Sequence, residues 1–138
     1  AHSHLQQLIE HGVDWRLWPL CGRPPMRGAH EHAIGRVALI GDAAHPMLPY
    51  LAQGAGMAIE DAAVLERFLQ HNATSDVPAC LKQFANQRWR RNARVQARAI
   101  QNGKIFHATG ALRWARDTGL RLMGSTLMDV PWLYGTQV

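Results

Sequence analysis

The segment from Gly35 to Asp61 constrains the fold more than any other part of the chain. It runs from a compact apolar stretch, Arg36 to Ile40, through Gly41-Asp42 and a loop stiffened by Pro46 and Pro49, into Gly54-Ala55-Gly56. Beyond Gly54, the spacing of Met57, Ala58, Ala62, Leu65, Phe68 and Leu69 is helical, with Glu60, Asp61 and Glu66 on the flanks. This is the pattern of a buried strand, a loop and a helix. Asp42 then stands at the carboxyl end of a strand, where α/β proteins bind ligands, and its carboxylate can accept hydrogen bonds from a polyol. Gly54-Ala55-Gly56 opens a helix with little side-chain bulk, so free backbone N–H groups and the positive end of the helix dipole favour an anion or an electron-rich carbonyl. An ordinary loop whose glycines only allow close packing remains the alternative.

Around this segment the expected elements are a short helix over Ala1 to Val13 and an edge strand over Asp14 to Leu20. An irregular connection follows through Cys21 to Gly35, which holds Gly22, Pro24, Pro25 and Gly28. Asn72 to Pro78 breaks the first long helix. Helices are expected over Ala79 to Gln101 and Ala111 to Met123, with a less regular stretch through Gly110 and no sheet. Residues 1–71 therefore read as the end of one domain's sheet followed by the strand-loop-helix segment, and residues 72–138 as the helical remainder of the domain that this segment belongs to. With 138 residues, 47% of them apolar, the chain can bury a core.

On the helical wheel of residues 79–101, Leu81, Phe84, Ala85, Val95 and Ala99 share one side, and Arg90, Arg91, Arg94 and Arg98 another. Arg88 falls inside the apolar stripe. A buried charge requires a partner, so Arg88 is expected to bond Glu60 or Asp61.

Charge is uneven. The first 81 residues carry five Arg against eight acids, whereas residues 82–138 carry ten Lys and Arg against two acids, for a formal net charge of +5. A basic helical module that binds nucleic acid or an acidic protein is therefore the alternative function class. Helical spacing favours packing over base stacking for Trp89, Phe106 and Trp114. Two distant cysteines, Cys21 and Cys80, make a disulfide scaffold or a thiolate zinc site unexpected and fit a reducing, cytoplasmic setting. The pairs His2/His4 and His30/His32 lack the further ligands that a metal centre needs. His45 reads as a structural hydrogen-bonding residue and His107 as a packed one. No apolar run is long and uninterrupted enough for a membrane span.

The pattern GRVxLxGDAAHxxxPxxxQGxxxxxEDAxxL, present from Gly35 to Leu65, resembles the second flavin-binding segment of the single-component FAD-dependent aromatic hydroxylases, the salicylate and 3-hydroxybenzoate hydroxylase branch. Similarity continues through Arg88, Arg91 and Arg94 with Val95-Gln96, through Asn102-Gly103 before Ile105-Phe106-His107, and through Trp132-Leu133-Tyr134-Gly135. Trp18-Pro19-Leu20 sits where that branch has a strand. Gly56 stands where many relatives have Asn, and Pro49 is Gln in some 3-hydroxybenzoate enzymes.

The resemblance implies a fragment of an α/β, Rossmann-like FAD-binding domain. Asp42 would hold ribityl hydroxyls of FAD, with Gly41 admitting the backbone, and Gly54, Ala55, Gly56 and Met57 would turn N–H groups to the pyrimidine edge of the flavin. Pro49 and Tyr50 would lie where substrate meets the ring. The implied reaction is hydroxylation of a phenolic aromatic acid with NAD(P)H and O₂. The arginines of the helical half would pair with acids of an absent portion or of a second subunit. No GxGxxG occurs, so the pyrophosphate-binding part would come from an amino-terminal portion, without which the chain would be inactive. A homodimer is a compatible assembly.

Overall fold

A computed structural model describes residues 3–71, 76–124 and 130–134. The chain starts with helix α1 (Ser3–His11). A two-stranded antiparallel hairpin follows, β1 (Ala33–Ile34) and β2 (Val37–Ala38), with Ala33 opposite Ala38 and Ile34 opposite Val37. Two single 3₁₀ turns, Gly41–Ala43 and Pro49–Leu51, lead into α2 (Gly54–His71). Then come the long α3 (Val77–Phe106), α4 (Gly110–Met123) and the short α5 (Pro131–Tyr134). No helix among the described residues is long and apolar enough to cross a membrane.

Local chemistry sets the helix ends. Asp76 caps α3 by accepting from the Ala79 amide at 3.1 Å, with Pro78 in the first turn where no N–H is missed. Gly110 and Gly124, at φ 57° and 54°, bracket α4.

α2 lies against α3, and every residue assigned to the α3 apolar stripe is buried: Leu81, Phe84, Ala85, Val95 and Ala99. Met57, Val95, Val130 and Leu133 form a core cluster, with Met47, Leu51 and Trp132 packed on it. The far end of the chain thus closes over the first turn of α2. Arg91 fastens it, donating to the Trp132 and Leu133 carbonyl oxygens at 3.2 and 3.0 Å, while the Arg94 guanidinium lies 3.9 Å from the centre of the Trp132 ring.

Four expectations need correction. Asp14 to Leu20 forms no strand among the described residues, and Leu17 and Trp18 are exposed, because no sheet here offers that segment a partner. The Arg36–Ile40 strand shrinks to Val37–Ala38, with Val37 65% exposed, so it is a hairpin arm and not a buried strand. Its partner β1 arises inside the stretch read as irregular. Helix α3 runs to Phe106 and absorbs most of the segment read as less regular.

Candidate functional site

A buried polar cluster positions the site. Met57, Asp61 and Val64 lie on the inner face of α2 by their spacing, and all three are buried. Asp61 therefore sits in the apolar stripe and not on its flank. Its Oδ1 accepts from Arg88 Nε at 2.8 Å and Asn92 Nδ2 at 3.0 Å, and its Oδ2 from His45 Nε2 at 2.6 Å and the Gly41 amide at 3.3 Å. Burial raises the Asp61 pKa, but these donors, with His32 Nε2 at 3.7 Å, outweigh it and hold the carboxyl well below its ordinary range. His32 Nε2 also lies 3.0 Å from Asn92 Nδ2, and His32 Nδ1 pairs with the Leu39 carbonyl oxygen at 2.7 Å.

Arg88 meets both of its expected partners: Asp61, and Glu60 through Nη1 at 2.7 Å. Arg91 grips Glu60 with two bonds of 2.6 Å. Burial raises the Glu60 pKa, and the hydrogen bonds from Arg91 and Arg88 bring it below the ordinary carboxylate value. Arg88 and Arg91 thus pair with acids of this same chain. Trp114 is exposed, which corrects the packing expected for it, whereas Phe106 is half-exposed and packs edge-on against Tyr50.

The atoms of His32, His45 and Asp61 gather within 4.8 Å of one another, as metal ligands can. The chemistry differs here, because both Asp61 oxygens already accept hydrogen bonds and the Arg88 cation holds the carboxylate. His45 fills the structural role expected of it. Buried, it ties the loop after Asp42 to α2.

This cluster fixes the Gly41–Ala43 turn. Gly41 has φ 56°, and a Cβ there would lie 3.2 Å from the Ala58 methyl, so the turn packs directly on α2. The Ala44 and His45 amides close back onto the Gly41 carbonyl oxygen at 3.0 and 2.9 Å. Asp42 is left exposed beside the amino end of α2, where a Cβ on Gly54 would lie 3.8 Å from its Oδ1. Gly54, Ala55 and Gly56 form the first turn, whose amides have no partner within the helix. The Met57 amide differs from expectation. It donates to the Gln53 carbonyl oxygen at 2.9 Å, and its side chain is buried in the core, so it offers no donor outward. A carboxylate acceptor thus borders a row of three amides at the positive end of an 18-residue helix.

The model for the FAD binding domain matches residues 25–99, from before the hairpin to the last turns of α3. The chain belongs to this FAD binding domain family. A 3-hydroxybenzoate 6-hydroxylase of Aquipseudomonas alcaligenes is 40% identical over 136 residues, covering 94% of this chain and 32% of that protein. A 6-hydroxynicotinate 3-monooxygenase of Bordetella bronchiseptica is 42% identical over 95 residues, 69% of this chain and 24% of its own length. A 3-amino-4-hydroxybenzoate 2-monooxygenase of Streptomyces platensis is 37% identical over 135 residues, 97% of this chain and 33% of that protein. The chain spans about a third of the length of these hydroxybenzoate relatives.

The donor and acceptor set fits the cofactor that names the family. An exposed carboxylate suits the hydroxyls of a polyol, and adjacent helix amides suit an electron-rich carbonyl edge. In this FAD binding domain a Cβ on Gly54 would lie 3.8 Å from Asp42 Oδ1 and one on Gly56 3.2 Å from Gln53 Oε1, so both glycines keep the first turn bare. Beside it, a cleft of about 970 Å³ opens between the Pro49–Leu51 turn, the end of α3 and α4, with Leu51, Ile105 and Phe106 on its walls. Pro49 and Tyr50 line the same cleft.

The contacts of His107, expected to be packed, lie elsewhere. It is exposed at the carboxyl end of α3 and pairs with the Tyr50 hydroxyl at 2.9 Å. Asp61, His32 and Asn92 were not singled out as a unit from the sequence. The available signal was a carboxylate four residues after Met57 on a helix whose partner carries an arginine in its own stripe.

Proposed function

We propose that this chain supplies the second flavin-contacting segment of an FAD-dependent monooxygenase that hydroxylates a phenolic aromatic acid, of the hydroxybenzoate or salicylate kind, with NAD(P)H and O₂. The observation that carries the reading is the Asp42 carboxylate set beside the open amides of Gly54, Ala55 and Gly56, in a chain whose relatives are named as hydroxylases and monooxygenases of aromatic acids.

In this reading Asp42 accepts hydrogen bonds from the ribityl hydroxyls, and Gly41 lets the backbone come close. The three amides face the pyrimidine edge of the flavin, where the helix dipole favours negative charge. Bound FAD supplies the redox chemistry and the activation of O₂. The protein's share is to hold the ring, exclude water and align the substrate. Met57 supports the ledge from behind, with its side chain in the core and its amide in the helix. Pro49 and Tyr50 border the cleft that would admit the aromatic acid.

The exposed apolar side chains in and just after the hairpin and on α2, Ile34, Val37, Ile40 and Ile59 among them, support packing on the rest of a Rossmann-like FAD-binding sheet carrying GxGxxG. Arg88, Arg91, Arg94 and Arg116 are engaged with acids, carbonyls or a ring of the same chain, which favours the flavoenzyme reading over a nucleic-acid module.

The test is an FAD titration of the chain with and without a GxGxxG-bearing part, followed by NAD(P)H-driven O₂ uptake with 3-hydroxybenzoate and with salicylate. FAD binding and aromatic-dependent uptake by the pair support the proposal. No FAD binding by the pair would overturn it.

A further inference from the structure

Tyr50 is held from three directions by one helix end. Asn102, Gly103, Phe106 and His107 form two i, i+4 pairs on neighbouring positions of the last two turns of α3, so they share a face. All four meet Tyr50. Asn102 Nδ2 donates to the Tyr50 carbonyl oxygen at 3.1 Å. The ring lies against Gly103 so closely that a Cβ there would fall 2.7 Å from Cδ2 and 2.8 Å from Cε2. Phe106 meets the ring edge-on at 5.9 Å, and His107 Nε2 pairs with the hydroxyl at 2.9 Å, its ring at 83° to the tyrosine. Main chain, ring face and hydroxyl are each secured.

We propose that this end of α3 is a clamp that sets the position of the Pro49–Leu51 turn, and through it the amides of Gly54, Ala55 and Gly56. Tyr50, Gly103 and His107 are then positioning residues for flavin binding, an inference that rests on the reading of those amides as flavin-facing. Only three residues separate Tyr50 from Gly54, and one of them, Ala52, sits at φ 51°, a left-handed conformation that a side chain adopts only under external restraint. Leu51 packs, partly buried, against the core cluster that holds Met57, so the turn is pinned by Leu51 on one side and by Tyr50 on the other. A shift of the tyrosine ring has no slack in which to dissipate before α2 begins.

Gly103→Ala separates the clamp from general stability. Alanine is the better helix former, so α3 itself gains, while the new methyl must displace the tyrosine ring. In the protein formed with its GxGxxG-bearing part, Gly103→Ala is expected to weaken FAD binding about fivefold or more, with no fall in the Tm measured before FAD is added. It should also speed amide hydrogen exchange over residues 50–56. His107→Ala and Tyr50→Phe should each weaken binding about threefold, the double variant no more than either, and His107→Gln should restore most of the loss. Unchanged exchange and unchanged FAD affinity in Gly103→Ala, or additive losses in the double variant, would overturn the clamp. Faster exchange with unchanged FAD affinity would keep the clamp but overturn the flavin-facing reading of the amides.

Discussion

Arg88 and Asp61 meet at the centre of the molecule, Nε to Oδ1 at 2.8 Å, with the arginine 4% and the aspartate 0% exposed. The pair joins α2 to α3, and the same carboxylate holds Gly41 and His45, so the turn that presents Asp42 hangs from an ion pair.

Removing one partner leaves the other charge buried and unpaired. Arg88→Met is expected to destabilise the FAD-bound protein by about 3–5 kcal/mol. Arg88→Lys should recover only part of this, since an ammonium cannot reach Asp61, Glu60 and Asn92 with one planar fork. Urea unfolding midpoints of the two variants check the order.

Acid should weaken the fold through the same groups. For Asp61 and Glu60, burial opposes ionisation and the surrounding donors overcome it, so both ionise in the folded state below their ordinary values of 3.8 and 4.5. Groups with lowered folded pKa values contribute stability that is complete above the unfolded value and lost as pH falls toward the folded one. Unfolding midpoints should therefore fall between about pH 5 and pH 2, and Asp61→Asn should flatten that slope. A slope equally steep in Asp61→Asn would count against the assignment.

Asp42 is exposed and supports nothing in the core, so its loss separates binding from folding. Asp42→Ala should leave the Tm of the FAD-free protein within a degree or two while raising the Kd for FAD by roughly tenfold or more, the loss of charge-assisted hydrogen bonds. Fluorescence titration of the holoprotein after FAD removal gives the number.

Leu133 lies far from α2 in sequence yet shares its core cluster with Met57. Leu133→Ala should cost about 2–5 kcal/mol and also weaken FAD binding, because the cavity opens behind the first turn of α2. A variant that loses stability but keeps full FAD affinity would show that α5 supports the fold alone.

Much of the site was legible in the chain itself. Gly41-Asp42 and Gly54-Ala55-Gly56 mark a turn and a bare helix start by residue type, because glycine tolerates positive φ and close approach. The α3 stripe followed from a 3.6-residue period, and Arg88 within it required an acid. The hairpin was harder to read, since its two-residue strands are too short for an alternating pattern, and Asp14 to Leu20 has strand composition without a sheet to join.

Local periodicity and the cost of burying a lone charge are enough to place the cores of α2, α3 and α4, the turn residues and a carboxylate opposite Arg88. Tertiary structure alone decided that Asp61 faces inward to hold Gly41 and His45, that Met57 turns its amide into the helix, and that His107 finds Tyr50 across 57 residues. Such pairings depend on how α2, α3 and the intervening turns close on one another. No local signal along the chain encodes that distance.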